Sequence, residues 1–484
     1  MRARVLCFVG LLGCGTSEYA AECDLYPERC CDIRPSSPVC ADGGDAGEVG
    51  ETGCTGPTSE ACGKCGTRNR ACQPDGTFGA WGACEAEGEC AAGTTEAVAA
   101  PACDKALEKR WRTCSATCSW GAAVCAMPKG WSKMADPPAG FAGRSSHAQA
   151  WTGSEYFVFG GVDDKGAPLG DGARWNPKSN TWKAVAAPPV EIGARSSATA
   201  VATGLAVIVW GGDTSTGAKN TGAAYAPVSD KWTPIAASPL AARYDHRAVW
   251  TGSKMLVWGG FSGVKGGAFA DGALYDPVTD GWTMLPPAPV GARVAPAMVW
   301  TGSEAIVFGG AQTEVLWSNE AASFNPTTMT WKKLDAAPAT RTLPGVALRA
   351  GGLFSMGGVS LSGSFELMDD ALLFETSKGW TKTIALAAAV LPNPARISPA
   401  TWCRGSRCWA WSGCTDDKTG SLAKLRGLGG GASFDGTSWA AMDKTNEPTP
   451  RCFSTVVEAD GYEIVFAGLR PDAAPSNDGA VYMP

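Results

Sequence analysis

From about residue 127 the chain repeats itself, and that repetition constrains the fold more than any other feature. Arginine opens each copy, at Arg144, Arg195, Arg243, Arg293, Arg341, Arg396 and Arg451. Sixteen residues after each arginine stands a Gly-Gly pair or its remnant: Gly160-Gly161, Gly211-Gly212, Gly259-Gly260, Gly309-Gly310, Gly357-Gly358, Ser412-Gly413 and Ala467-Gly468. A tryptophan series runs alongside, Trp131, Trp182, Trp232, Trp282, Trp331, Trp380 and Trp439, with spacings of 51, 50, 50, 49, 49 and 59. Within the copy around Trp300, Ala297–Trp300 and Ala305–Phe308 are apolar runs joined by the tight hairpin Thr301-Gly-Ser-Glu304. Ala321–Phe324 is a third run, Asn325-Pro326 a turn, and Trp331–Leu334 alternates as a fourth strand.

Four antiparallel strands every ~50 residues make one blade of a propeller, so the chain is predicted to be all-β over residues 127–484. The glycine pair at the end of each second strand suits a close backbone approach or positive φ. Seven Arg-to-Gly-Gly halves are present, but the seventh stops at Ala480-Val-Tyr482 without a tryptophan strand, whereas Trp131 precedes every arginine. The simplest closure places residues 130–136 beside the strand near Val481, giving seven complete blades and no open edge.

The order Arg-x-x-His, apolar strand, Gly-Gly, aromatic, turn, Trp resembles the kelch repeat. The resemblance covers residues 127–484 and implies a seven-bladed kelch-type β-propeller; the chain departs from it where Gly-Gly has decayed and where the histidine is kept only at His147 and His246. It says little about activity. Kelch-type propellers include galactose oxidase, whose copper site needs two His, two Tyr and a cross-linked Cys, and sialic acid mutarotases, which use Arg, Glu and His around the channel. Here both histidines stand three residues after a repeat arginine, a position that suits a structural role, and no convergent mutarotase-like set is visible. No catalytic residue, metal or cofactor is expected. The seven arginines either form a cationic ring for an anionic ligand or, the favoured reading, bond carbonyls of the neighbouring blade. The spaced tryptophans are expected in the core.

The strand 1–2 hairpins are nearly constant, as Thr152-Gly-Ser, Thr251-Gly-Ser and Thr301-Gly-Ser show, whereas the strand 2–3 loops vary in length. Recognition concentrates on variable loops held by a rigid scaffold. The longest, Thr415–Gly431, carries Asp416, Asp417, Lys418, Lys424 and Arg426 as candidate contacts. Four cysteines lie in the propeller. Cys403 and Cys408 flank Arg404-Gly-Ser-Arg407 across a hairpin, and Cys414 and Cys452 fall where neighbouring blades meet; both pairs are expected as disulfides.

The remainder of the chain concerns targeting. Met1-Arg-Ala-Arg4, the apolar stretch Val5–Leu12 and Leu11-Leu12-Gly13-Cys14 resemble a bacterial lipoprotein signal, which implies removal of residues 1–13 and lipidation of Cys14. An ordinary cut after Ala21 is disfavoured by Glu18 and Tyr19. Either way the chain is exported, and with no Asp beside Cys14 an outer-membrane or cell-surface position is expected. Residues 14–61 read as a flexible tether, rich in Gly and acid over 42–61. Residues 62–126 form a cysteine-rich module with a weak internal repeat, Arg68-Asn-Arg-Ala-Cys72 against Arg110-Trp-Arg-Thr-Cys114. Its Arg and Trp alternation resembles thrombospondin type 1 modules, in which guanidinium groups stack on indoles. Cysteines 23 to 125 number fourteen, an even count, and disulfides are favoured over zinc at Cys62-x-x-Cys65. A net charge of −6 argues against a nucleic-acid partner. The expected function is binding of a protein or glycan by a membrane-tethered propeller, without catalysis; an extracytoplasmic kelch-type enzyme is the alternative.

Overall fold

The computed structural model describes residue 54 and residues 56–484, apart from 265–266, 313–316, 351, 362–364, 383–384, 416–424 and 473. The signal peptide, the lipidation site Cys14 and nearly all of the 14–61 tether lie outside the described residues. Every regular element described is a β-strand, and no helix long and apolar enough to cross a membrane is present among those residues. The described chain falls into two compact units, one running to Thr94 and including Cys114–Gly121, the other comprising Thr95–Thr113 and Ala122–Pro484. The division does not run at residue 126. The three-stranded sheet of Thr95–Val98, Lys109–Thr113 and Val124–Ala126 groups with the propeller, because Leu107 and Met127 pack on a propeller core cluster and Ala106 N–H donates to the Lys178 carbonyl.

The first unit has little apolar core, and crosslinks stand in for one. Cys54–Cys72, Cys62–Cys84, Cys65–Cys118 and Cys90–Cys114 are paired, so Cys62 and Cys65 enter separate bridges. The Arg70 guanidinium lies 3.7 Å from the Phe78 ring centroid and 4.4 Å from that of Trp81. In the second unit Cys103 pairs with Cys125.

Seven four-stranded antiparallel sheets make up the bulk of the second unit. Each follows the order of the fourth: Ala297–Trp300, Ala305–Phe308, Ala321–Asn325, Thr330–Leu334. The first strands of consecutive sheets touch in a closed cycle, with Thr455–Ala459 returning to Ala148–Trp151. The seventh sheet takes its outer strand, Gly130–Lys133, from the start of the unit, with Ser132 opposite Val481 and Trp131 opposite Tyr482. Second strands such as Tyr156–Phe159, Val207–Trp210 and Met255–Trp258 are buried at every residue. They read as unbroken apolar runs because both faces pack on neighbouring sheets. One such seam joins Phe157, Phe159 and Ile192 to Val207, Val209 and Tyr225.

The tryptophan series meets the core expectation in full only at Trp131, which is 3 % exposed, while the others pack on the rim of core clusters. Trp182, Trp232, Trp282, Trp331 and Trp380 are half-buried, and their indole N–H groups donate to Ala135, Ala186, Ala236, Pro286 and Asp335 carbonyls, each just beyond the preceding sheet's last strand. They are latches between the outer edges of adjacent sheets. An indole suits that place because it offers an apolar body and one directed donor.

Candidate functional site

The mouth of the propeller is built from the starts of the seven first strands and the ends of the second strands, so the repeat arginines fall there. All seven are 0–1 % exposed. Six donate to the carbonyl sixteen residues on: Arg144 to Gly160 (2.9 Å), Arg195 to Gly211 (2.8 Å), Arg243 to Gly259 (3.0 Å), Arg341 to Gly357 (2.8 Å), Arg396 to Ser412 (2.7 Å) and Arg451 to Ala467 (3.4 Å). That carbonyl belongs to the arginine's own sheet, not to the neighbouring blade as expected. The link between sheets is made by backbone instead: the second glycine N–H donates to the next sheet's arginine carbonyl, from Gly161 to Arg195 (2.9 Å) through Gly468 to Arg144 (3.0 Å), which closes the cycle. Five of the arginines also meet a carboxylate of their own sheet: Asp171, Asp271, Glu320, Asp370 and Asp478. Arg195 and Arg396 have only neutral oxygens, and burial pulls both down to about 10. These guanidinium groups hold the scaffold.

The decayed glycine pairs follow the same geometry. Gly309 and Gly310 have φ of 63° and 85°, and a Cβ on Gly310 would stand 2.8 Å from the Val294 carbonyl. Ser412 adopts φ of 56° at an equivalent position. Its hydroxyl engages both the Arg451 carbonyl and the Arg451 N–H at 2.8 Å, which offsets the left-handed strain.

His147 and His246 are buried between sheets, with Nε2 against Thr455 Oγ1 (2.9 Å) and Thr199 Oγ1 (2.8 Å). Burial depresses both to about 3, helped by the nearby repeat arginines. They are neutral interblade contacts. Among the described residues no group of three or more His, Cys, Asp and Glu is placed to hold a metal ion.

The residue two positions after each arginine is exposed at Ser146 and partly buried in the other six sheets. Ser146, Ser197, Asp245, Ala295, Leu343, Ser398 and Phe453 all have φ between 45° and 54°. Consecutive members are joined by backbone hydrogen bonds, Ser197 N–H to Ser146 (2.8 Å), Ala295 to Asp245 (2.9 Å) and Ser398 to Leu343 (2.8 Å). The left-handed turn costs about 1–2 kcal/mol per residue, and these backbone hydrogen bonds, at four of the seven junctions, help to sustain it. The ring is polar on one side. There burial pushes the Asp245 carboxyl up while Arg247 opposes the shift, and a cleft of about 700 Å³ opens between Asp213, Thr214, Tyr244 and Phe269. On the other side it is apolar: half-buried Trp317, Leu343, Leu367, Leu425, Phe453 and Leu469 cover buried Val359, Ile397, Cys414 and Cys452.

Of the candidate contacts in the longest loop, Arg426 is exposed on the short strand Arg426–Gly427, paired with Cys414–Thr415; Asp416, Asp417, Lys418 and Lys424 lie outside the described residues. The loop thus leaves the scaffold beside the apolar half. Sequence reasoning missed that half, although Leu343 and Phe453 replace serine in the Arg-plus-two series and so marked it.

Cys403 and Cys408 are disulfide-bonded directly across a strand pair, with Cα atoms 4.0 Å apart. Cys414 and Cys452 carry no bridge in the structure, contrary to expectation: they are buried thiols packed in one cluster, and burial pushes Cys414 up, with neighbouring Cys452 adding to the shift. Each is pinned by its own backbone bridge, Cys414 to Ile397 and Cys452 to Leu469, which sets the thiols adjacent without bonding them.

Comparison with known proteins bears on the fold. The model of the KLHDC2/KLHL20/DRC7 Kelch-repeats domain matches residues 127–289 and 245–468. The solved structure of YjhT aligns with a TM-score of 0.49 at 16 % identity, covering 64 % of this chain and 99 % of that one. No curated protein matches.

Proposed function

Since the chain belongs to the kelch-repeat family, we propose that it is an extracytoplasmic binding module that holds a protein or glycan on its strand 2–3 loop face, with no catalytic step of its own. The observation that carries this reading is the partly buried apolar cluster of Trp317, Leu343, Leu367, Leu425, Phe453 and Leu469 beside the loop that rejoins the scaffold at Arg426. An apolar patch rimmed by charge is the composition of an interaction surface, and it favours a protein over a glycan. The buried arginines and histidines are committed to the scaffold, which supports a binding role over a catalytic one. Five disulfides ahead of the propeller support an oxidising compartment, and lipid attachment at Cys14 would tether the module to the outer membrane or cell surface.

Two measurements test the reading. Charge reversal of Lys418, Lys424 and Arg426 together in the full chain should weaken binding to intact cells, or to the best ligand on a glycan and protein array, at least tenfold with Tm unchanged. Equal or greater loss on altering Ser154 and Ser253 in the opposite hairpins would place the ligand on the other face. For the compartment, protein isolated from the cell envelope should yield Cys403 linked to Cys408 on non-reducing peptide mapping. Recovery of Cys403 and Cys408 as free thiols would contradict export.

A further inference from the structure

The hairpin face is regular in four sheets and irregular in three, and the irregularities converge. In the first four hairpins a threonine eight residues before the glycine pair caps its own turn: Thr301 Oγ1 donates to the Glu304 carbonyl and accepts from the Glu304 N–H, both at 3.0 Å, and Thr152, Thr203 and Thr251 do the same. In the fifth and sixth sheets this threonine is replaced by Arg349 and Arg404. Each exchange gives up a turn cap and adds a cation. Both arginines are held in place. Arg349 Nε donates to the Ser406 carbonyl (3.1 Å) in the sixth hairpin while its Nη1 stands 3.5 Å from Glu375 of its own sheet, and the Cys403–Cys408 bridge locks the sixth hairpin immediately beside Arg404.

The seventh sheet departs in the opposite sense. Glu458 and Glu463 face each other across its first two strands. Elsewhere the Glu463 position holds Tyr156, Val207, Met255, Ala305, Leu353 or Cys408, all fully buried. Like charges directly opposite on a strand pair are destabilising. Glu463 is buried and bonds Arg404 through one oxygen (3.1 Å), while its other oxygen has no partner. Burial raises its carboxyl to about 7, with Arg404 opposing the shift and Glu458 adding to it. Local rules broken at several positions without a packing gain mark a functional site.

Arg349, Arg404 and Glu458 line one cleft of about 770 Å³ together with Glu304, Thr301 and Ser303, and Glu463 lies behind Arg404, outside the lining. A simple anion entering it meets two carboxylates, and a simple cation meets two guanidinium groups. We propose that this cleft is a second binding site, on the face opposite the loops, for a small zwitterion of the free amino-acid class. The ligand's carboxylate is received by Arg349 and Arg404, and its ammonium by Glu458 and Glu304. Paired N–H donors of guanidinium suit a planar carboxylate.

The test is isothermal titration of the full chain with the twenty free amino acids, and with N-acetylated and C-amidated forms of whichever binds. Saturable binding is expected for at least one amino acid, with a loss of tenfold or more on either blocking modification. Arg349→Gln and Glu458→Gln should each produce a similar loss. Absence of saturable binding by any of the twenty, or undiminished binding of both blocked forms to the unaltered protein, would overturn the proposal. The blocked ligands keep the test independent of whether the variants fold.

Discussion

Arg341→Met should destabilise the protein by about 3–5 kcal/mol, the range for breaking a buried ion pair from one side. The Arg341 side chain is 0 % exposed and that of its partner Asp370 is 1 % exposed, the most deeply buried of the repeat ion pairs. Methionine fills most of the volume but takes the Arg341 counter-charge from the buried Asp370 carboxylate and frees the Gly357 and Asp370 carbonyls of their guanidinium donor. Arg195→Met is the control, since Arg195 has only the neutral oxygens of Ile192, Gly211, Glu191 and Thr221 as partners. Its loss should be nearer the 1–3 kcal/mol of orphaned buried acceptors. Urea denaturation of both variants checks the difference, and the double change Arg341→Met/Asp370→Asn should recover part of the loss. Equal destabilisation by the two single variants would mean that the carboxylates add nothing to the arginine ring.

Deleting residues 127–136 should be more damaging still. The deletion removes the strand Gly130–Lys133 and bares the edge of Pro475–Met483. It also removes Trp131, 3 % exposed, whose ring centroid lies 4.8 Å from that of Tyr482 and 5.0 Å from that of Trp411. Burying such a side chain accounts for about 3–5 kcal/mol, as judged from truncation of tryptophan to alanine in cores. An exposed strand edge next to an apolar seam also invites pairing between copies. The expected result is a lower Tm and growth of large species in light scattering. An unchanged Tm with unchanged hydrodynamic size would show that the ring does not depend on this strand.

The closure was legible because a tryptophan strand was missing at one end and supplied at the other. The offset of sixteen was legible because a guanidinium must reach the carbonyl at the end of the second strand, a distance set by the hairpin length. Which sheet received it was not. The Gly-Gly pair touches two arginines, its own through the side chain and the next through the backbone, and spacing alone does not separate them. The tryptophans' half-burial was hidden for a similar reason, since a periodic indole serves equally as core or as latch. Pairing in the cysteine-rich segment depends on which strands meet. The mixed-charge cleft was invisible because its arginines and glutamates come from separate sheets and sit together only when the ring is closed.

The central claim is that the strand 2–3 loop face is the macromolecular binding surface. Photo-crosslinking on intact cells tests it most directly, with a benzophenone side chain placed singly at Leu425, Arg426 or Phe453 on that face, and at Ser154 or Ser253 on the hairpin face. The account predicts discrete crosslinked adducts from the first three positions and none from the last two. Adducts from Ser154 or Ser253 with none from Leu425, Arg426 and Phe453 would contradict it.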